Sequence, residues 1–275
     1  MTYDLLAVSL RLGTGLVIGF LIALTGVGGG ALAVPALTLV LGVPSSIAVG
    51  TASLYAFLTK CYAVFEHKRL GTLDKSATLT FLGGAIPANV AVAYLVNRYV
   101  RAAQATDLAN LEQFQEMLGG LIGGTMLISV VILAYNLIRS QPTGVEGPVD
   151  PNRVGPASPG RKVARVFSGA VVGALMGATS VGGGVLVLPA LLMLFGLTAR
   201  KAVGTSIVIA LMLSLFTAVI YMGGGQIEYV TAVLMSVGSL AGVFVGSRLS
   251  ARMPERPLQA IVIGVIAVAA MTMLF

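Results

Sequence analysis

Charge is what this sequence has least of. Only 10% of its 275 residues are Asp, Glu, Lys or Arg, against about a quarter in a soluble domain. So few charges cannot clothe a water-facing surface, which argues against a soluble enzyme, a disordered chain or a small disulfide scaffold. There is one cysteine, Cys61, so no intrachain disulfide can form, and its presence says nothing about compartment. The single histidine, His67, lies in Glu66-His67-Lys68-Arg69. With no Cys or His to join it, neither a zinc nor a haem site can be built, and no metal or cofactor is expected. Tryptophan is absent, which leaves tyrosine alone to form an interfacial belt. No Gly-Lys-Ser/Thr phosphate loop occurs. Gly26 to Ala31 has dinucleotide-like glycine spacing, but no strand precedes it and no acidic residue follows at the required distance. No nucleophile, base and acid fall together in the apolar segments, so an enzyme is not expected.

What is present is apolar sequence in long runs. Hydrophobic residues make up 57% of the chain, in continuous stretches of about 20 residues, the length that crosses a bilayer as helix. A membrane β-barrel would instead alternate in segments of about ten. The segments lie near 4–25, 31–42, 45–65, 73–97 and 114–139, then near 163–179, 184–195, 201–222, 228–249 and 257–275. The expectation is an all-α polytopic membrane protein. Residues 1–139 form a first transmembrane unit and 163–275 a second, joined by a Pro/Gly-rich linker over 140–162.

The two units repeat one another. A shift of 154 positions lays Arg11 on Arg165, Gly15 on Gly169 and Gly19 on Gly173. It lays Thr25-Gly-Val-Gly-Gly-Gly30 on Thr179-Ser-Val-Gly-Gly-Gly184, Pro35-Ala-Leu on Pro189-Ala-Leu, and Ala48-Val-Gly-Thr51 on Ala202-Val-Gly-Thr205. Basic residues cluster at 66–75, 139–165, 200–201 and 248–256, without interleaved stacking aromatics. The net charge of +7 is therefore read as the positive-inside bias and not as a nucleic-acid surface. With those clusters cytoplasmic, equivalent segments run in opposite directions, and the expected relation is an inverted-topology repeat. Residues 1–33 are not read as a cleaved signal peptide. Their start lacks positive charge, and the segment has an internal copy at 165–187.

The triple glycines carry the chemistry. Gly28, Gly29 and Gly30, and their copies Gly182, Gly183 and Gly184, break helix within apolar sequence, at about 1 kcal/mol each relative to Ala. Broken backbone inside a bilayer persists only where protein buries it or a polar cavity meets it. The segments that follow, 31–42 and 184–195, are roughly 18 Å long as helix, short of the ~30 Å hydrocarbon core. Whether they span or re-enter stays open. The first N–H groups of a short helix are unpaired and partly positive, and glycine lets a small oxyanion approach them. Other glycines, at 15, 19, 169, 173, 177, 238, 242 and 246, suit close helix packing. Thr25, Thr179, Ser180, Pro35 and Pro189 frame the turns, the prolines by bending the short helices. Thr51, Ser53, Thr205 and Ser206 open the next helices. Their hydroxyls could donate to an anion, ligate a cation or bond their own helix. Arg11 and Arg165 fall near opposite membrane surfaces, where they either draw anions into vestibules or snorkel. Lys60 has the same two readings. No carboxylate sits deep in a helix, since Asp74 and Glu228 fall at helix starts. A buried acid relay is not expected, and H+ remains a candidate coupling ion only through the substrate's own proton.

Gly-Val-Gly-Gly-Gly, Pro-Ala-Leu and Ala-Val-Gly-Thr, present twice in one chain, resemble the TauE/SafE sulfite exporter family of bacterial membrane proteins. The resemblance covers both halves. It implies a carrier in the bacterial inner membrane that exports sulfite or a small organosulfonate by alternating access. It also implies that Gly28 to Gly30, Gly182 to Gly184, Pro35, Pro189, Thr51, Thr205 and Ser206 form the site region. Where the family often reads Gly-Thr-Ser, the first half here reads Gly-Thr-Ala, so Ala52 brings no hydroxyl. A channel-like or uptake pathway for another small anion stays open beside export, as does a membrane anchor for a sulfur-metabolising enzyme. The exact anion, the oligomeric state and the coupling ion are not written in the residues.

Overall fold

The computed structural model describes residues 5–25, 30–69, 73–106, 108–139, 159–250 and 255–274. Gly28, Gly29 and most of the linker lie outside them. Among the described residues the architecture is all helical. The order is α1 (Leu5–Thr25), α2 (Gly30–Pro35) with a π-helical continuation Ala36–Val40, α3 (Ser45–Arg69), α4 (Lys75–Thr106) and α5 (Leu108–Arg139). Then follow α6 (Pro159–Thr179), α7 (Val187–Phe195), α8 (Ala199–Gly223), α9 (Tyr229–Ser250) and α10 (Glu255–Leu274). Among the described residues five stretches are long and apolar enough to cross a membrane: Leu5–Ala23, Lys75–Ala105, Leu108–Tyr135, Lys201–Gly223 and Tyr229–Gly246. The chain is a multi-pass membrane protein.

The helices begin and end for local reasons. Pro35 cannot donate to the helical ladder, and at that residue α2 gives way to the π turn. Pro189 is the third residue of α7, inside the first turn, where a missing N–H is harmless. Gly196 ends α7 at φ 64, ψ 30 and donates to the Leu191 carbonyl, a left-handed cap that glycine adopts without strain. Asp74 accepts the Ala77 N–H at 2.9 Å and so caps α4.

Three boundaries differ from the hydropathy reading. The 98–116 stretch is helical on both sides of residue 107, because α4 and α5, at 32 residues each or about 48 Å, project polar ends beyond any hydrocarbon layer. The second short helix begins at Val187, not 184, because the glycines fold as turns before it. The last part of the expected linker, 159–162, belongs to α6.

Helices from the two halves interleave. α1 lies against α9, and α4 against α6. Gly15 faces the Met235 backbone and Gly19 that of Ser239, while Gly238, Gly242 and Gly246 face Leu12, Leu16 and Phe20. The numbers rise together, so α1 and α9 are parallel. A Cβ at any of these glycines would collide with or crowd the facing backbone, so the two helices touch along their main chains. α4 and α6 meet in the same way through Gly84 on Val166, and Gly169, Gly173 and Gly177 on Phe81, Ala85 and Asn89. Several of these contacts have counterparts shifted by 154. Gly15–Met235 answers to Gly169–Phe81, Gly19–Ser239 to Gly173–Ala85, and Gly238–Leu12 to Gly84–Val166. α3 and α8 also pack together, with the start of α3 at Gly50 against Tyr221 near the end of α8. Two apolar clusters fill the interior. One centres on Leu37, Tyr55, Ile122 and Tyr221, the other on Phe81, Met176, Leu191 and Leu213.

Candidate functional site

The turn after α6 is where the backbone departs from helix inside buried sequence. Thr179 bonds the Leu175 carbonyl at 2.7 Å and accepts the Val181 N–H at 3.2 Å, which closes the end of α6. Ser180 is left-handed at φ 55, rare for a residue with a side chain. Gly182 follows at φ 124, a conformation that glycine alone takes readily. Gly183 lies against Ala210 of α8 and Met176 of α6, with no room for a side chain. Leu186 and Val187 both donate to the Gly182 carbonyl, and Leu188 to that of Gly184. The N–H groups of Gly183, Gly184 and Val185 have no hydrogen-bond acceptor among the described residues. These successive donors follow the left-handed Ser180 and the positive-φ Gly182 and lead into α7.

Other halves of the molecule reach this turn. Ser53 of α3 donates to the Val49 carbonyl at 2.8 Å, and its Oγ accepts from the Ser180 hydroxyl at 2.9 Å. Gly30, the first residue of α2, presses against the Ser180 carbonyl so closely that a Cβ could not fit. The Tyr221 hydroxyl donates to the Gly177 carbonyl at 3.2 Å, one turn before Ser180. Beside it, Asn89 of α4 donates to the Gly173 carbonyl and exchanges hydrogen bonds of 2.9 and 3.0 Å with Thr217 of α8. Ser53, Ser180, Asn89 and Thr217 are all buried.

The structure thus gathers Gly30, Ser53, Thr179, Ser180 and Gly182 to Gly184. Gly28 and Gly29 lie outside the described residues, as does the Thr25 side chain. The remaining expected residues sit elsewhere. The buried Thr51 hydroxyl accepts the Glu228 N–H at 3.0 Å, and Thr205 accepts the Asp74 N–H at the same distance. Each threonine thereby receives the chain as it enters a long helix of the other half. Asp74 precedes Asn89 by 15 residues along α4, which puts Thr205 roughly 22 Å from the level of Gly177. Ser206 bonds the Val203 carbonyl of its own helix at 2.8 Å.

The basic residues are engaged as well. Arg11 bonds Thr231 at 2.7 Å and the Ala7 carbonyl at 3.0 Å, and lies 4.0 Å from Glu228. Arg165 bonds the Leu194 carbonyl at 3.0 Å and stacks over the Phe195 ring at 5.0 Å, which caps the C-terminus of α7. Lys60 turns back to its own helix at the Ala56 carbonyl, 3.4 Å away. Among the described residues no group of three or more His, Cys, Asp or Glu residues is placed to hold a metal ion. Sequence reasoning overlooked Tyr221, Asn89 and Thr217. The only trace they leave is a polar side chain in an otherwise apolar run.

The sequence profile described as "Sulfite exporter TauE/SafE" matches residues 11–273. The chain belongs to that family. The probable membrane transporter protein YjnA of Bacillus subtilis is 32% identical to it over 262 residues, which cover 94% of this chain and 97% of that protein. The probable membrane transporter protein YdhB of the same organism is 23% identical, over 95% and 96% of the two chains. The probable membrane transporter protein MJ0441 of Methanocaldococcus jannaschii is 24% identical, over 83% of this chain and 74% of its own. No solved structure matches. The transporter's glycine turn thus brings backbone donors that have no acceptor among the described residues.

Proposed function

We propose that the protein is a secondary transporter of the bacterial inner membrane that exports sulfite or a small organosulfonate by alternating access. The observation that carries this reading is the set of three consecutive N–H groups at Gly183, Gly184 and Val185, without acceptors among the described residues, with Gly183 and Val185 buried and Gly184 half-buried. A sulfur oxyanion offers three acceptor oxygens at one end, and backbone donors at a glycine turn suit it. Ser53 and Ser180, 2.9 Å apart, bring two hydroxyls to the turn where an anion would sit.

The shifted contact pairs between α1 and α9 and between α4 and α6 favour two halves related by an inverted-topology repeat, with the site near the bilayer midplane. On that arrangement the basic loops 66–75, 139–165, 200–201 and 248–256 face the cytoplasm, and the ends of the chain lie outside. Carboxylates of the described helices lie at helix ends, so a coupling proton would travel on the anion itself.

The test is counterflow of radiolabelled sulfite in proteoliposomes, with sulfate, thiosulfate and sulfoacetate as competitors. Saturable exchange inhibited by sulfonates is expected. Ser53→Ala should raise the half-saturating sulfite concentration several-fold while leaving yield and elution profile unchanged. Ohmic anion current without counterflow would replace the carrier by a channel. No flux of any sulfur oxyanion through folded protein would remove the substrate.

A further inference from the structure

One end of the bundle carries a polar cluster that the anion site does not use. Ser46, at the start of α3, is wholly buried and is held from two sides. Its N–H donates to Gln115 Oε1 at 2.9 Å, and Gln115 Nε2 returns a bond to Ser46 Oγ at 2.7 Å. The Ser46 hydroxyl in turn donates to Gln226 Oε1 at 2.8 Å. Gln226 lies between α8 and α9 and is 3% exposed. Three separate parts of the chain are thus tied by one closed set of hydrogen bonds.

Two cavities meet at this knot. One, of about 440 Å³, is lined by Ser46, Gln104, Glu112, Gln115 and Gln226. The other, of about 620 Å³, is lined by Thr38, Ser45, Gln115, Glu116 and Gly120. Pro44, Gln115 and Glu116 border both. Behind the knot a continuous line of contacts leads inward. The Gln226 carbonyl and Tyr221 Cβ pack on Gly50. Tyr221 extends to the Gly177 carbonyl, and Ser180 and the glycine turn follow. The polar floor of the cavities and the glycine turn are therefore separated by little more than one tyrosine.

We propose that Ser46, Gln115 and Gln226 form the gate on this face of the transporter, and that the structure has the gate closed. The gate must part for an ion to pass between the cavities and the turn, so the proposal rests on the reading of the turn as the anion site. Hydrogen bonds suit this duty. Water replaces them when they open, so parting them costs little, whereas an apolar plug would expose its faces. The opposite face has no equivalent in sequence. The positions shifted by 154 from Ser46 and Gln226 read Arg200 and Thr72.

The experiment uses full-length protein in oriented vesicles, with Cys61→Ala to remove the native thiol and Ser53→Cys as a reporter behind the gate. The probe is a membrane-impermeant methanethiosulfonate added on the gate side. Gln115→Ala should speed labelling of the reporter at least tenfold, and Ser46→Ala should do the same by an independent cut in the same set of bonds. Equal labelling rates in parent and both variants, with unchanged elution profiles, would overturn the gate. Sulfite counterflow in unlabelled vesicles of the protein with Ser53 intact separates the two ideas. Faster labelling without sulfite flux upholds the gate and removes only the substrate.

Discussion

Single residues decide how closely the helices approach. Gly19 lies so near the Ser239 backbone that no side chain fits, whereas Gly13, on the same helix, has open space beside it. Gly19→Val should therefore force α1 off α9. An overpacked core typically loses about 1–3 kcal/mol, and contact through backbone puts this site at the upper end. Thermal unfolding followed by size exclusion should show a lower midpoint and a broadened peak. Gly13→Ala should leave both within error or raise the midpoint slightly, because it improves helix propensity without a clash. Equal behaviour of the two variants would mean that the α1–α9 approach is looser than described. The packing role of such glycines was legible from their spacing. The helix each one faces was not, since a small residue creates a close approach without naming its partner. Nor was the use made of Thr51 and Thr205, because a threonine reads the same whether it awaits a ligand or receives a neighbour's backbone N–H.

Helical elements were legible wherever apolar length marks them, and failed where water takes over. Residues from Arg98 to Glu116 read as a loop because charge and amide side chains are frequent there. A helix that leaves the hydrocarbon needs those same residues, so composition cannot separate the two cases. α7 shows how a short element is held. It has nine residues, begins without a side-chain cap, and ends on Gly196 with Arg165 over its last turn. An isolated helix of that length is marginal in water, so its C-terminal cap should matter. Arg165→Ala removes one charge-assisted hydrogen bond and one ring contact, and about 1–2 kcal/mol should be lost. The unfolding midpoint should fall by several degrees. Arg165→Lys should recover only part of it, because an ammonium cannot bond the carbonyl and stack on Phe195 together. Full recovery by lysine would show that charge alone caps the helix.

At the scale of the whole molecule, each half lends a long helix to the other. α1 finds its closest partner in α9 and α6 in α4, and the Thr51 and Thr205 hydroxyls each bond the backbone of the opposite half. Neither half should therefore fold on its own. Expressed alone, residues 1–139 or 159–275 should be degraded or aggregate. Expressed together as separate chains, they should co-purify through a tag on one of them. Recovery of a stable, monodisperse single half would contradict the interleaved packing. Motifs that recur at a shift of 154 do not say whether two similar segments stand side by side or exchange helices.

Interleaving also sets a schedule for synthesis. Arg11 and Thr231, which are hydrogen-bonded, stand 220 residues apart in the chain. A ribosome adding about 5–20 residues each second needs roughly 10–45 s to cover that distance. For that interval the bare backbone stripe of α1 waits in the bilayer without α9. Any other glycine-faced helix nearby can compete for it, so the nascent protein is most exposed to wrong pairing, and to membrane quality control, before its second half has left the ribosome.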